Sequence, residues 1–306
     1  MTFFSLLVAF LVEQLRPLRH DNRIYRAFSA YADGLERQFN ASQFRHGVAA
    51  WMLAVLPAVL LVLVVQILLY RASPLLAWVW NVAVLYLMMG FRQFSHYFTE
   101  IMHALRDDNV AEARDNLGRW RGASADEFNS SEIARVAIEL GLIGSHRHVF
   151  GTIVLFVVMG PAGAVLYRLA ALLNDKWSAR TDAEFGEFGR FAEGFFFWLD
   201  WLPARLTALS FAIVGNFEDA VYCWRTQAQS WTRHTEGIIL AAGAGALGVR
   251  LGDALHEYGS VVYRPEMGAG ETADVVYMHS TVGLIWRTLV LWMFLVLVVS
   301  LAHALG

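Results

Sequence analysis

The uncharged run "GVAAWMLAVLPAVLLVLVVQILLY", residues 47–70, constrains the fold of this chain more than any other segment. As a helix it would rise about 36 Å, which exceeds the roughly 30 Å hydrocarbon core of a bilayer. A second apolar run, residues 282–305, contains only Arg287 as a formal charge. Only 17% of all residues are charged, against about 25% in soluble domains. The two runs therefore predict transmembrane helices of an integral membrane protein.

Shorter apolar segments add to these two spans. Residues 75–90 predict a third span, whereas residues 1–12 are short for a span and predict a retained N-terminal helix. Residues 149–173 are broken at Gly160-Pro161, which indicates either one kinked span or, as we prefer, two half-helices in a re-entrant hairpin. We expect an all-α integral membrane protein with about four to five transmembrane helices plus amphipathic or re-entrant helices. Residues 1–306 would form a single domain.

Charge distribution predicts how the chain is oriented. Residues 16–46 contain six arginines, which favours the cytoplasmic side under the positive-inside rule. The polar residues 91–148 predict a cytoplasmic helical region, with a helix capped by Ser130 or Ser131. We expect a multi-pass protein of the bacterial inner (plasma) membrane. The net charge of −3 gives no reason to expect nucleic acid as a partner, and one cysteine excludes a disulfide framework.

Several local motifs are weak indicators of chemistry. "GAGALG" (243–248) matches a dinucleotide-binding pattern, but small residues that let membrane helices pack closely explain it better. His96, Glu100, His103 and Asp107 share one helical face and suggest either metal ligands or, as we prefer, a solvated surface. His146 and His148 are interpreted as interfacial residues at a helix start. We therefore assign no metal site.

Ionisable residues within apolar segments are stronger candidates. Such groups cost about 2.5–3.5 kcal/mol each on insertion scales, so they normally face a partner or a watery cavity. Arg168 and Asp175 flank "LAALLN", and Asp200 and Arg205 lie within residues 193–215. A structural alternative is that Asp200 caps a helix beginning at Trp201 and that Arg205 pairs internally or snorkels.

The order of several segments resembles the CobD/CbiB family of cobalamin-biosynthesis membrane proteins. The resemblance rests on "FRQFSHYFTEIMHALRDDNVAEARDNLGRWRG" (91–122), "ELGLIG" (139–144), "GPAGAVLYRLAALLND" (160–175), "LPARLTAL" (202–209) and "GALGVRLG" (245–252). It implies an amide-forming synthase that joins adenosylcobyric acid to an aminopropanol or its phosphate with ATP and Mg²⁺.

Departures from that family pattern favour a different function. Where the synthases carry an aspartate pair this chain has Phe196 and Phe197, and where they carry an asparagine it has Asp200. A phosphoryl-activating ligase needs carboxylates to hold Mg²⁺. "LDWLPARL" followed by "IVGNFEDAVYCW" is also similar to the AmpE inner-membrane proteins linked to β-lactamase induction. We therefore expect a non-catalytic, AmpE-like ligand-binding or signalling protein with a degenerate synthase site.

The alternative is an active cobinamide or cobinamide-phosphate synthase, in which Glu139, Asp175 and Glu193 would supply metal ligands. A transporter is a third and weaker alternative. Catalytic residues stay unassigned, and ATP and Mg²⁺ are expected only for the synthase. The expected partners are the lipid bilayer and a corrinoid or cell-wall-derived ligand, and homo-oligomerisation is left open. The candidate ligand-binding residues are Glu139, Arg168, Asp175, Glu193, Asp200 and Arg205.

Overall fold

The computed structural model of the chain describes residues 2–16, 23–178, 180, 185–257 and 259–305. The helices are α1 (Thr2–Leu15), α2 (Arg23–Phe39), α3 (Phe44–Ala72), α4 (Pro74–Met88), α5 (Phe91–Arg106), α6 (Val110–Arg121), α7 (Ser130–Ser145), α8 (Gly151–Trp177), α9 (Arg190–Val214), α10 (Phe217–Gln227), α11 (His234–Leu247) and α12 (Val275–Leu305). A π-helical turn, His146–Phe150, joins α7 to α8, and a short 3₁₀ turn, Ala228–Ser230, follows α10. The strands are β1 (Val249–Arg250), β2 (Leu255–Glu257), β3 (Ser260–Val262) and β4 (Glu271–Thr272).

Four helical segments are long and apolar enough to cross a membrane. They are Phe44–Ala72, Ser130–Trp177, Arg190–Val214 and Val275–Ala302. Two shorter apolar helices, α1 and α4, accompany them. The structure thus confirms the predicted all-α membrane fold, including the helices expected at residues 47–70 and 282–305. The third predicted span, α4, has only 15 residues and would rise about 22 Å, less than the hydrocarbon core.

The polar segment before α7 folds largely as expected. The helices expected at residues 91–148 are present as α5, α6 and α7. The predicted cap of α7 is wrong by one residue, because Asn129 rather than Ser130 or Ser131 occupies the N-cap. The Asn129 side chain accepts from the Glu132 backbone N–H, and Glu132 accepts from that of Asn129. This reciprocal capping box satisfies two backbone donors that would otherwise lack partners.

The chain divides into two compact units, each assembled from two separate stretches of sequence. The first unit comprises Met1–Gly90 and Arg147–Pro203. The second comprises Phe91–His146 and Ala204–Gly306. The prediction of a single membrane domain with a cytoplasmic region at 91–148 stays a prediction.

In the first unit, α3 packs against α2, α4 and α8. Trp51 of α3 is fully buried, with its ring 5.5 Å from that of Phe191 and 4.3 Å from that of Phe195. Gly47 lets the same helix approach the backbone of Phe188, since an added β-carbon there would lie 2.0 Å from the Phe188 carbonyl oxygen. Phe191 and Phe195, near the start of α9, therefore pack against Trp51 in this unit.

In the second unit, α7 packs against α5, α11 and α12, and α10 packs against α11. Two of the three "GAGALG" glycines lie at these contacts. A β-carbon at Gly243 would lie 2.7 Å from Leu142, and one at Gly245 would lie 2.4 Å from the Asp219 carbonyl oxygen. Close helix packing therefore accounts for Gly243 and Gly245, whereas Gly248, with φ 68°, is the left-handed C-cap that ends α11.

The segment between α11 and α12 contains the four short strands. β1 pairs in parallel with β4, and β2 pairs with β3 as an antiparallel hairpin. Both pairs belong to the second unit.

Candidate functional site

Helix α8 reverses direction at Gly160. This residue has φ 66° and ψ −156°, a conformation that is essentially restricted to glycine, and Pro161 lacks the N–H that would continue the helix. A β-carbon at Gly151 would lie 2.1 Å from Tyr167 Oη, although the two residues would be about 24 Å apart along one continuous helix. The half-helices 151–159 and 161–177 therefore fold against each other, and the preferred hairpin is confirmed over a single kinked span.

The two ends of this hairpin differ in polarity. At the turn, the apolar side chains of Val157, Val158 and Met159 are exposed. At the open end, Arg147 Nη1 donates to Asp175 Oδ1 at 2.7 Å. An apolar turn suits lipid, whereas the paired charges mark the end nearest water.

Five polar residues at and near the open end form what we call the hairpin cluster. Its members are Arg147, Tyr167, Arg168, Asp175 and Asp200. All five belong to the first unit. The sequence predicts Arg168, Asp175 and Asp200 as site residues, but it does not predict Arg147 and Tyr167. Arg147 was detectable as a third ionisable residue beside the two histidines of "SHRHVF", whereas nothing in the sequence singles out Tyr167.

The π-helical turn positions Arg147. Such turns alter the regular backbone hydrogen bonding and are common at functional sites. The Arg147 carbonyl oxygen accepts from Arg168 Nη1 at 3.3 Å and from Thr152 Oγ1 at 3.5 Å. The prediction that His146 and His148 begin a helix is wrong, because this π-turn continues the helix from α7. His146 is buried, with Nδ1 2.9 Å from Thr207 Oγ1.

Asp200 is the most deeply buried carboxylate of the cluster, with 1% exposure. It accepts a hydrogen bond from Tyr167 Oη at 2.8 Å. The prediction that it caps a helix starting at Trp201 is wrong, because α9 begins at Arg190 and the aromatic residues before Asp200 are helical. The internal position of Pro203 costs one backbone hydrogen bond without ending the helix.

Phe196 lies at the cluster where the family pattern has an acidic residue. Its ring centroid is 5.6 Å from that of Tyr167, and the Arg147 guanidinium carbon lies 5.8 Å from it. A cation over an aromatic face is attracted to the ring. Phe196 thus supplies packing and a cation–π surface, but no metal ligand.

The remaining candidates occupy other positions. Glu193 is exposed in the first turn of α9. Arg205 is partly buried and belongs to the second unit. Glu139 also belongs to the second unit, and it is buried within α7.

Glu139 is held by an arginine. Arg264 Nη1 and Nη2 donate to its carboxylate at 2.8 and 3.0 Å, and the Gly252 N–H donates at 2.8 Å. Glu132 and Arg135 share this face of α7, where they bind His256 and Asp253. This face of α7 therefore binds the strand-bearing segment that follows α11. The Glu139 carboxylate, with both oxygens bonded, has the contacts of a structural group.

Metal-ligand geometry is not found in the described ranges. No group of three or more His, Cys, Asp or Glu residues there is arranged to hold a metal ion. His96 Nε2 lies 3.3 Å from Glu100 Oε1, and both side chains are largely solvent-exposed. This geometry fits the solvated helical face predicted from the sequence.

Comparison with known proteins adds a family assignment to this geometry. A family model described as CobD/Cbib protein matches residues 4–302. Cobalamin biosynthesis protein CobD of Stutzerimonas stutzeri (strain A1501) is 35% identical over 301 residues, covering 96% of this chain and 97% of the relative. The protein of the same name from Chromobacterium violaceum is 36% identical over 219 residues, covering 72% and 70%. No solved structure shows a significant match. These comparisons do not show the AmpE-like branch.

Proposed function

The chain belongs to the CobD/CbiB family, and from that premise we propose that it acts in cobalamin biosynthesis in the bacterial inner membrane. The relatives that support this proposal carry the printed name cobalamin biosynthesis protein. The reaction implied by the resemblance is amide formation between a corrinoid carboxyl group and an aminopropanol or its phosphate. An active synthase is therefore the primary proposal.

The observation that carries the proposal is the hairpin. Its reversal at Gly160 brings Arg147 of "SHRHVF" beside Asp175 of "LAALLND". These are two of the segments in which the family pattern has its polar motifs. A single span would have placed them at opposite membrane faces, about 42 Å apart. The fold therefore provides the convergence of motifs that a synthase site requires.

The members of the hairpin cluster differ in exposure and bonding, and we propose a different role for each. Asp175, 47% exposed, is the accessible carboxylate, whereas Asp200 is buried and bonded to Tyr167. Arg147 and Arg168 would bind and orient anionic groups of the substrates. We assign no bond-breaking role to Phe196.

ATP and Mg²⁺ are part of this proposal, where they would activate the corrinoid carboxyl group by phosphorylation. The described residues fit a metal ion held mainly by nucleotide phosphates, with Asp175 as one carboxylate ligand. They do not fit a closed metal cage, because the described residues contain no group of three or more potential ligands in suitable geometry. Binding by Asp175 would require it to exchange its contact with Arg147.

A second candidate is a non-catalytic ligand-binding protein of the AmpE-like kind. It is favoured by the packing of Phe196 against Tyr167 and by the bidentate contact of Arg264 with Glu139. Both arrangements place hydrophobic or paired groups where a synthase would present free carboxylates. Under this alternative the hairpin would bind a ligand without turning it over.

A growth assay tests the primary proposal. The chain is expressed in a bacterial strain that lacks its own synthase, under conditions in which growth requires corrinoid synthesis. We expect the wild-type protein to restore growth. The control variant Asp115→Asn should do the same, because Asp115 pairs with Arg119 on the exposed surface. We expect Asp175→Asn to lower corrinoid yield at least tenfold. A wild-type protein that reaches the membrane without restoring growth would instead favour the non-catalytic candidate.

A further inference from the structure

Arg168 is a buried cation without a carboxylate partner in the part of the chain that the structure describes. The residue is 7% exposed, and its Nη1 donates to the Arg147 carbonyl oxygen at 3.3 Å. No described carboxylate lies within 4.0 Å of its guanidinium nitrogens. A guanidinium carries five N–H donors and stays charged in proteins. One long bond to a carbonyl therefore leaves most of its donors for another acceptor.

The two carboxylates of the hairpin cluster are bonded to other groups. Asp175 accepts from Arg147, and Asp200 accepts from Tyr167. Neither is an ion-pair partner of Arg168. Ionisable residues inside a membrane normally pair with an opposite charge or face a water-filled cavity. An anion from outside the protein would supply that missing partner.

The location of the open end makes such an anion accessible. Lys176 directly follows Asp175 in the sequence, and its Nζ donates to Ser29 Oγ of α2 at 2.7 Å. α2 is amphipathic, with an exposed tyrosine at position 25, which is typical of a helix at the membrane surface. Asp175 beside it is about half-exposed. The open end therefore lies where lipid headgroups and soluble metabolites both have access.

We propose that Arg168 binds a phosphate oxyanion at the open end of the hairpin, with Arg147 flanking it. The planar fork of a guanidinium matches two phosphate oxygens, which distinguishes it from a point charge such as lysine. The phosphate belongs either to a soluble phosphate monoester or to a lipid headgroup, because both present the same group. The inference deepens the proposed function and rests on it for the choice of site.

Binding to the purified protein in detergent tests the inference without corrinoid or ATP. Thermal unfolding is followed against inorganic phosphate and, separately, against short-chain phosphatidylglycerol, at constant ionic strength. We expect a saturable rise of the unfolding midpoint for the wild type and at least tenfold weaker binding for Arg168→Gln. The matched control is Arg287→Gln, since Arg287 lies in α12 and its Nε donates to the Gly283 carbonyl oxygen at 3.2 Å. That control should bind like the wild type.

The two ligands identify the source of the phosphate. A response to inorganic phosphate points to a soluble monoester, and a response to phosphatidylglycerol alone points to a lipid headgroup. Should Arg168→Gln fail to fold, Arg168→Lys keeps the charge but not the fork and should bind about tenfold more weakly. Equal binding by wild type and Arg168 variants, or no response to either ligand, overturns the inference. Phosphate binding without growth restoration would contradict only the synthase proposal.

Discussion

Single residues decide whether each candidate carboxylate can take part in chemistry. Tyr167 reaches Asp200 because the neighbouring residue across the hairpin is Gly151, which leaves room for the phenol. Arg264 occupies both oxygens of Glu139. The sequence correctly indicated that buried charges need partners, but it could not name these partners, because each lies far along the chain from the group that it binds.

Removal of Arg264 tests the structural role of Glu139. We expect Arg264→Ala to destabilise the protein by about 3–5 kcal/mol, because it leaves a buried carboxylate without its counter-charge. The measurement is denaturant unfolding in detergent. Arg250→Ala is the matched control from the same segment, since its pair with Glu266 is about half-exposed and should be worth about 0–1 kcal/mol.

The paired replacement Glu139→Leu with Arg264→Met sharpens this comparison. Replacing both members of a buried ion pair by apolar groups is often neutral, so the double variant should recover most of the lost stability. If Arg264→Ala proved as stable as the wild type, Glu139 would be a free carboxylate suited to ligand binding instead of a structural group.

At the scale of elements, the hairpin shows what a local signal can and cannot specify. Gly160-Pro161 predicted an interruption, because one residue favours an unusual backbone conformation and the other lacks a donor. Gly160-Pro161 is compatible with both a kinked helix and a full reversal of the chain. Contacts between the two half-helices, such as Gly163 against the Leu155 carbonyl oxygen, distinguish a reversal from a kink. These contacts depend on the sizes of the side chains on both half-helices.

Substitution of Gly160 tests the reversal. A β-carbon there would meet no atom within 4 Å, so any effect of Gly160→Ala arises from its positive φ. We expect a loss of about 1–3 kcal/mol in the free energy of unfolding. Gly283→Ala in α12 is the control, because it also has open space and no positive φ. Equal stability of the two variants would contradict a reversal at Gly160.

At the scale of the whole molecule, hydropathy predicted the class of fold, because membrane insertion depends on local composition over about 20 residues. The division into two units was not predictable in this way. Each unit joins distant stretches of sequence, so its boundaries depend on packing between them. The division places Arg168, Asp175, Glu193 and Asp200 in one unit and Glu139 and Arg205 in the other. The residues that the sequence predicts as ligand-binding therefore belong to two different units.

The sidedness of the first unit follows from contacts between its elements. Arg180 bonds Glu36 of α2, and Lys176 bonds Asp33 of the same helix. The chain following the hairpin therefore lies on the same membrane side as α2. Because α2 belongs to the arginine-rich stretch at residues 16–46, we expect both to be cytoplasmic.

Labelling of single cysteines with a membrane-impermeant maleimide checks this sidedness. Gln38→Cys and Glu187→Cys replace exposed residues, and both should react in inverted vesicles but not in intact cells. Native Cys223 is buried, and burial together with nearby Asp219 raises the pKa of its thiol. It therefore stays protonated at neutral pH and reacts slowly, since the thiolate is the nucleophile. Cys223→Ala without added cysteines gives the background. Labelling of the two positions from opposite sides would contradict the hairpin, because a single span at 149–173 would separate them.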